Sequence, residues 1–272
     1  MSVLSKLLDS GSFVVTAELN PPKGVAIQDV LSRGQALKGV VDAVNLTDQA
    51  TSVMSMSPLA LAPFVMELGL DVVLQVTCRD RNRIAIQGDL LGASALGVEN
   101  ILCLTGDPVS LGDHPGAKTV FDMTSVDLLR TANGLSSGKD MAGNKLKGTP
   151  TFNLGAVVNP CSADLDTEVR RMQQKVEAGA KFFQTQAVFD LEKLERFMHM
   201  VRPMNVPVIV GIMVLKSGAM ARNVNASLPG IDIPDRLIEE MDNASDGDSI
   251  LFYEGFYDEY TVINKSLFMG SI

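Results

Sequence analysis

The sequence predicts an α/β fold: a single-domain (β/α)8 TIM barrel with an abbreviated or irregular eighth unit. Apolar, β-prone runs recur about every thirty residues, the length of one strand and its crossover helix. Several runs are apolar throughout, as in parallel strands buried on both faces. Because 272 residues, 46% of them hydrophobic, suit one barrel with a large core, residues 1–272 are predicted to form one domain.

The eight predicted strands follow in chain order, and most of them end in a polar residue. They begin near Phe13, Val41, Asp71, Asn100, Phe152, Lys181, Pro207 and Ser249. The eighth unit is predicted to be abbreviated, because only a short helix and a polar loop precede Leu251-Phe252-Tyr253. In a parallel barrel the carboxyl ends of the strands form one mouth, where such folds carry out their chemistry.

Between the strands, apolar residues recur at steps of three and four, which predicts helices. The clearest patterns cover residues 81–96, 164–178, 191–201 and 234–241. Asp164 and Asp190 are predicted N-caps, since short polar side chains accept hydrogen bonds from the first turn. Gly97 and Gly179 are predicted helix ends.

Two stretches interrupt the regular spacing. Residues 106–118, rich in Gly, Pro and Asp, follow the fourth strand on the mouth side and are predicted to form a binding loop. Residues 134–150 show no strand or helix signal. They lie on the opposite side, so we expect a flexible surface loop there.

Composition restricts the function classes. The 32 acidic residues exceed the 23 basic ones, which argues against an extended nucleic-acid surface and favours a metabolite as partner. The three cysteines have neither CxxC nor zinc-ligand spacing, which favours a reducing cytoplasm. Neither a membrane-spanning segment nor a signal peptide is expected.

Three polar strand ends are candidate functional residues. Glu18 precedes Leu19-Asn20-Pro21-Pro22, a stiff turn, and a carboxyl half buried at a mouth has the raised pKa that a general acid needs. The alternative is a solvated glutamate at a strand end. Asp107 follows a glycine and suits either a ligand contact or an ordinary Gly-Asp-Pro turn. Gln186 could orient a substrate by hydrogen bonds, or could simply end its strand.

Taken together, these segments resemble the methylenetetrahydrofolate reductase family of flavin-dependent (β/α)8 barrels, over residues 13–234. The matching segments are Ala17-Glu18-Leu19-Asn20-Pro21-Pro22-Lys23, Val44-Asn45-Leu46-Thr47, Gln75-Val76-Thr77-Cys78-Arg79-Asp80, Leu104-Thr105-Gly106-Asp107-Pro108, and Lys175 to Ala180 followed by Phe183-Gln184-Thr185-Gln186. The absence of a GxGxxG motif is consistent with this family, which binds flavin along the barrel without one.

The resemblance implies reduction of 5,10-methylenetetrahydrofolate to 5-methyltetrahydrofolate through a bound flavin, FAD in preference to FMN. Glu18 is then the proton donor, Asp107 faces both flavin and pterin, and Gln186 holds the folate. The implied cofactor-binding residues are Thr47, Thr105, Gly106, Asp107, Asn159, Glu168 and Lys175. The resemblance also implies a homo-oligomer that takes electrons from NAD(P)H or from a partner redox protein.

The sequence departs from the family at several positions. Residues 214–219 lack the aromatic residue that packs against folate and nicotinamide in the family, which leaves the electron donor open. Asn159 replaces a tyrosine, and Ala163 and Gln75 replace histidines. Of the two histidines, His114 lies in the predicted binding loop and His199 on a helix. Neither supports a histidine triad or a metal site.

Two other functions remain open from the sequence. One is a flavin-free barrel that binds a folate and transfers a methyl group. The other is a noncatalytic barrel subunit of an electron-transfer complex, which the changes around Gly218 favour. The absorbance of a bound flavin distinguishes the reductase from the methyl-transfer barrel.

Overall fold

The computed structural model describes residues 1–228, 230–244 and 261–266. Seven parallel strands lie side by side in chain order and curve around one core. They are β1 (Val15–Leu19), β2 (Ala43–Leu46), β3 (Val72–Thr77), β4 (Asn100–Leu104), β5 (Asn153–Val158), β6 (Phe182–Ala187) and β7 (Val208–Met213). The α/β class and the parallel order agree with the sequence prediction.

A further strand, β8 (Thr261–Ser266), pairs in parallel with both β7 and β1. The run predicted for this strand, residues 251–253, lies outside the described residues. The helices are α1 (Val3–Asp9), α2 (Gln28–Leu37), α3 (Pro58–Glu67), α4 (Arg83–Ala95), α5 (Ser125–Ser136), α6 (Leu165–Glu177), α7 (Leu191–Val201), α8 (Gly218–Ser227) and α9 (Asp235–Asn243). No helix within the described ranges is both long enough and apolar enough to cross a bilayer.

The predicted helix caps are confirmed. The Asp164 carboxylate accepts from the Thr167 N–H at 3.0 Å, and Asp190 accepts from two N–H groups of the first turn of α7. Gly97 and Gly179 follow α4 and α6 with φ of +90° and +112°, the left-handed region that glycine adopts without steric cost. These residues set where α6 and α7 begin and where α4 and α6 end.

Three predicted boundaries were wrong. The fourth helix begins at Arg83 and not at residue 81, because the Asn82 side chain accepts from the N–H groups of residues 84 and 85. The segment 134–150 is not wholly irregular, since α5 continues to Ser136. The longer helix is stabilised because its residue Leu135 is buried in the core. The helix predicted over 234–241 covers Asp235–Asn243, with Pro234 as its N-cap.

The barrel interior is apolar at its amino end. Leu4 and Leu8 of α1 pack there against inward-facing strand residues. These are Ala43, Val73, Leu102, Phe182 and Ile209, together with Val14 directly before β1. A larger core lies between the outer face of the strands and the helices. Because α1 closes the amino end, the open end of the barrel is the one formed by the carboxyl ends of the strands.

A candidate active site at the carboxyl ends of the strands

Glu18 lies near the end of β1 and faces the barrel interior. Its neighbours Ala17 and Leu19 are buried in the outer core, so strand alternation turns the Glu18 side chain inward. The side chain is partly exposed at the mouth. Burial raises the pKa of the carboxyl, and a hydrogen bond with Gln75 lowers it by a smaller amount. A carboxyl in this setting keeps its proton closer to neutral pH and can act as a proton donor.

Buried amides and a hydroxyl lie below Glu18. The Gln184 Nε2 donates to the Asn45 Oδ1 at 2.8 Å, and the Asn45 Nδ2 donates to the Thr16 hydroxyl at 3.5 Å. All three residues are at most 4% exposed. The amides therefore satisfy one another, which buried polar groups require. They separate the mouth from the apolar amino end.

Thr47 follows β2 and connects it to the turn after Glu18. Its hydroxyl donates to the Asn20 Oδ1 at 2.8 Å. The Pro22 carbonyl in the same turn accepts from the Met56 N–H at 2.9 Å. The loops after β1 and β2 thus support each other, and the diproline turn is held on one side of the mouth.

Asp107 is exposed on the loop after β4 and contacts the loop after β2. Its carboxylate accepts from the Thr51 N–H at 3.1 Å, and its carbonyl accepts from the Ser52 hydroxyl at 2.9 Å. Gln49, Thr51 and Ser52 have φ between +45° and +60°, a region that costs free energy for residues other than glycine. The Asp107 contacts help to hold this strained loop in place.

Arg79 is a site residue that the sequence analysis did not single out. It is 2% exposed, and its guanidinium donates to the Ser52 hydroxyl at 2.9 Å and to the Asp80 carboxylate at 2.7 Å. It also reaches the Asp107 carbonyl at 3.4 Å. One buried cation therefore joins the loops after β2, β3 and β4. The Thr-Cys-Arg-Asp segment was the sequence signal that could have indicated this role.

Asp48 was also missed, although it directly follows Thr47. The buried carboxylate accepts from the Thr77 N–H at 2.8 Å and the Thr77 hydroxyl at 3.0 Å, and it pairs with Arg81. This network joins the carboxyl ends of β2 and β3. Its partners lie about thirty residues away along the chain, so local sequence gives little sign of it.

Asn159, Glu168 and Lys175 meet at the end of β5. The Glu168 carboxylate accepts from the Asn159 N–H at 2.9 Å, and the Lys175 amine donates to the Val157 carbonyl at 2.6 Å. Burial lowers the pKa of Lys175, and the nearby Glu168 opposes that shift. The side chains of Glu168 and Lys175, both on α6, thus bind backbone groups at the end of β5 and of Asn159, which follows it.

Gln186 lies on an irregular part of β6. The β6–β7 register shifts between Gln184 and Ala187, and the Thr185 hydroxyl both accepts from the Gly211 N–H at 2.9 Å and donates to the Gln186 carbonyl at 2.6 Å. A Cβ at Gly211 would lie 2.7 Å from the Thr185 carbonyl, so this position needs glycine. Such a bulge changes the direction of the following side chain.

Asp113 connects three loops of the mouth. Its carboxylate pairs with Lys23, accepts from the Met54 N–H at 3.0 Å and contacts the His114 Nδ1 at 2.8 Å. These hydrogen bonds hold the pKa of Asp113 well below its usual range. The predicted binding loop therefore has a defined anchor that includes His114, whereas His199 is exposed on α7.

The structure thus brings the predicted strand-end residues to the same end of the barrel, but in separate contacts. Glu18, Thr47, Asp107 and Gln186 follow β1, β2, β4 and β6, or lie at their carboxyl ends. A family model described as methylenetetrahydrofolate reductase matches residues 3–267. The chain belongs to the methylenetetrahydrofolate reductase family.

Curated members of the methylenetetrahydrofolate reductase family are similar to this chain in sequence. "Methylenetetrahydrofolate reductase 2" of Schizosaccharomyces pombe is 29% identical over 185 residues, which cover 65% of this chain and 28% of that protein. "Probable methylenetetrahydrofolate reductase (NADPH)" of Caenorhabditis elegans is 24% identical over 254 residues, 88% of this chain and 36% of that protein. The chain therefore spans about a third of the length of these relatives.

Solved structures agree on the fold. A Clostridium thermocellum protein, described as binding two copies of 5-methyl-5,6,7,8-tetrahydrofolic acid, has a TM-score of 0.63 at 18% identity, over 90% of this chain and 80% of that one. A 2,3-dimethylmalate lyase has a TM-score of 0.55 at 15% identity, over 96% and 79%. At these identities the likeness concerns the fold alone.

Proposed function

We propose that the protein reduces 5,10-methylenetetrahydrofolate to 5-methyltetrahydrofolate with a bound flavin, in the one-carbon metabolism that supplies methionine biosynthesis. The observation that carries the proposal is Glu18, an inward-facing carboxyl at the mouth whose pKa is raised by burial. Membership of the methylenetetrahydrofolate reductase family and the folate bound by the Clostridium thermocellum protein support the choice of substrate.

In this proposal each polar residue of the mouth has a chemical task. Glu18 gives its proton to the ring nitrogen that leaves when the five-membered ring of the substrate opens. The exposed Asp107 carboxylate stabilises the positive charge that develops on the carbon, and the Gln186 amide orients the pterin by hydrogen bonds. Bound flavin supplies the hydride for that carbon.

The residues after β4 fit a flavin. Thr105 and Asp107 are exposed and would line one side of a flavin, whereas Gly106 packs against Arg79 and Thr77, where an added Cβ would lie 2.9 Å and 3.2 Å from their Cβ atoms. Thr47 after β2, and Asn159, Glu168 and Lys175 after β5, complete the proposed cofactor contacts. We propose FAD in preference to FMN, reduced by NAD(P)H or by a partner redox protein. Val214 is 45% exposed after β7 and offers an aliphatic contact to that donor.

The proposal extends to architecture and setting. A complete (β/α)8 barrel, closed by the eighth unit between β7 and β1, is the unit proposed to carry the site. The three cysteines are free thiols, which suits the reducing cytoplasm. Association into a homo-oligomer is proposed from the resemblance noted in the sequence analysis.

Two measurements test the function. The purified protein should show the absorbance bands of an oxidised flavin, or acquire them on reconstitution with FAD. The variant Glu18→Gln should still bind flavin and allow its reduction, but should reduce methylenetetrahydrofolate about 10²–10⁴-fold more slowly, because the amide has no acidic proton.

The matched control is Glu195→Gln, which makes the same change on the exposed face of α7 and should behave like the unmodified protein. A protein that stays colourless after reconstitution would rule out the flavin reductase and leave the flavin-free methyl-transfer barrel. Normal turnover of Glu18→Gln would remove Glu18 as the acid.

A further inference from the structure

The loop that follows β2 has an unfavourable backbone conformation at the edge of the mouth. Gln49, Thr51 and Ser52 have φ of +45°, +50° and +60°, a region that costs free energy for residues with a side chain. Such a conformation persists only where neighbouring groups hold it. The loop after β4 supplies part of this support, since a Cβ added at Gly112 would lie 1.9 Å from the Ser52 carbonyl oxygen. The backbones of the two loops therefore lie in close contact.

Arg79, which follows β3, holds the same loop from the protein interior. Its buried guanidinium donates to the Ser52 hydroxyl at 2.9 Å and reaches the Gln49 carbonyl at 3.5 Å. Its charge is balanced by the Asp80 carboxylate, which lies 2.7 Å away. The packing is close, because a Cβ added at Gly106 would lie 2.9 Å from the Arg79 Cβ. A planar group with several N–H donors makes these contacts together, which a lysine amine cannot do.

The Ser52 hydroxyl connects Arg79 to Asp107. It accepts from the guanidinium and donates to the carbonyl oxygens of Asp107 and Pro108, at 2.9 Å and 3.0 Å. The Thr51 N–H donates to the Asp107 Oδ2 at 3.1 Å. Two adjacent residues of the strained loop thus hold both the backbone and the carboxylate of Asp107. Because the Thr51 contact uses one carboxylate oxygen, the other can still face a bound molecule.

We infer that Arg79 is a positioning residue for Asp107, acting through the Ser52 hydroxyl and the strained loop. Asp107 is exposed, so neighbouring groups must restrict its rotation if its carboxylate is to keep one direction. A charge stabilises a transition state most effectively when it is in place before the reaction. The inference rests on the proposed function, which gives the Asp107 carboxylate its task.

The first test is hydrogen exchange of the Thr51 amide, followed by NMR in the purified protein, because this amide reports the Asp107 contact without a substrate. Asp107→Ala gives the exchange rate of the amide without its acceptor. Ser52→Ala and Arg79→Lys should raise the rate about tenfold, as expected for the loss of one hydrogen bond. The matched control is Ser57→Ala, an exposed serine that makes no capping hydrogen bond, and it should leave the rate unchanged.

The second test is a double-mutant cycle on turnover, which separates positioning from a general loss of stability. Ser52→Ala should lower kcat for methylenetetrahydrofolate about tenfold and change KM by less than about twofold, because the charge interaction strengthens in the transition state. In the Asp107→Ala background the same change should have little further effect on kcat, since Ser52 acts through Asp107.

The outcomes separate the inference from the proposed function. An unchanged Thr51 exchange rate in Ser52→Ala would overturn the positioning role, also where Arg79→Lys does not fold. Fully additive effects of Ser52→Ala and Asp107→Ala on kcat would overturn it too. If the exchange rate rises as expected while the unmodified protein does not reduce methylenetetrahydrofolate, the coupling of Ser52 to Asp107 is supported and the proposed function fails.

Discussion

The barrel interior predicts a strong energetic coupling between Gly155 and Phe182. These residues are register partners on β5 and β6, and the Phe182 ring is fully buried. A Cβ added at Gly155 would lie 2.3 Å from the ring Cζ and 2.6 Å and 2.7 Å from the two Cε atoms. The backbone at Gly155 does not require a positive φ, so the cost of Gly155→Ala is steric. Overpacking of this kind destabilises by about 1–3 kcal/mol.

The assay is urea unfolding followed by far-UV circular dichroism, analysed as the free energy of unfolding. Phe182→Leu alone should cost about 1–2 kcal/mol for lost packing. It also removes the ring that the new methyl group of Gly155→Ala meets. Adding Gly155→Ala to Phe182→Leu should therefore lower the free energy of unfolding by much less than Gly155→Ala does in the unmodified protein. The expected coupling is about 1–3 kcal/mol.

A matched control makes the result decisive. Gly88 in α4 has open space around its added Cβ, and Gly88→Ala should stabilise the helix by up to about 1 kcal/mol. If Gly155→Ala is as stable as the unmodified protein, or if the costs of Gly155→Ala and Phe182→Leu simply add, the ring does not occupy the space next to Gly155 and the reasoning is refuted.

Two further predictions concern thiols and acid stability. At about pH 8 a thiol reagent should label the half-buried Cys161 first, whereas Cys78 and Cys103 should react only after unfolding. Both of these thiols are buried, and burial raises the pKa of Cys78 to about 11. Mass spectrometry follows the labelling, and fast modification of all three cysteines would contradict the prediction. The lowered pKa of Asp113 means that its contribution to stability is present at neutral pH and is lost as the pH falls below about 4. Asp113→Asn should therefore flatten the acid limb of the thermal unfolding midpoint, and unchanged limbs would disprove the contribution.

Much of the fold follows from local sequence, because strands buried on both faces need apolar runs and helices need periodic ones. The N-caps at Asp164 and Asp190 and the helix ends at Gly97 and Gly179 are local chemistry, and they were predicted correctly. The bulge in β6 was not predicted. It depends on the contact between the Thr185 hydroxyl and the Gly211 N–H, which lie in different strands.

The candidate site was predictable to a similar extent. Glu18 and Gln186 could be found as polar ends of apolar strands, which is a local signal. The functions of Arg79 and Asp48 depend on partners in other loops, so each looks like an ordinary charged residue in the sequence. Gln75 was noted in the sequence as part of a matching segment and as a replacement for a histidine, and its effect on the pKa of Glu18 needed the structure to be seen.

The barrel interior explains why the proposed acid lies where it does. Inward side chains change from apolar ones such as Val73 at the amino end, to the amides of Asn45 and Gln184, to the carboxyl of Glu18 at the mouth. A carboxyl placed deeper would lose more hydration than one amide could replace, and one placed in the exposed loops would not have its pKa raised by burial. The level occupied by Glu18 combines enough burial to retain a proton with enough exposure to meet a substrate, and Gln75 limits how far the burial raises its pKa.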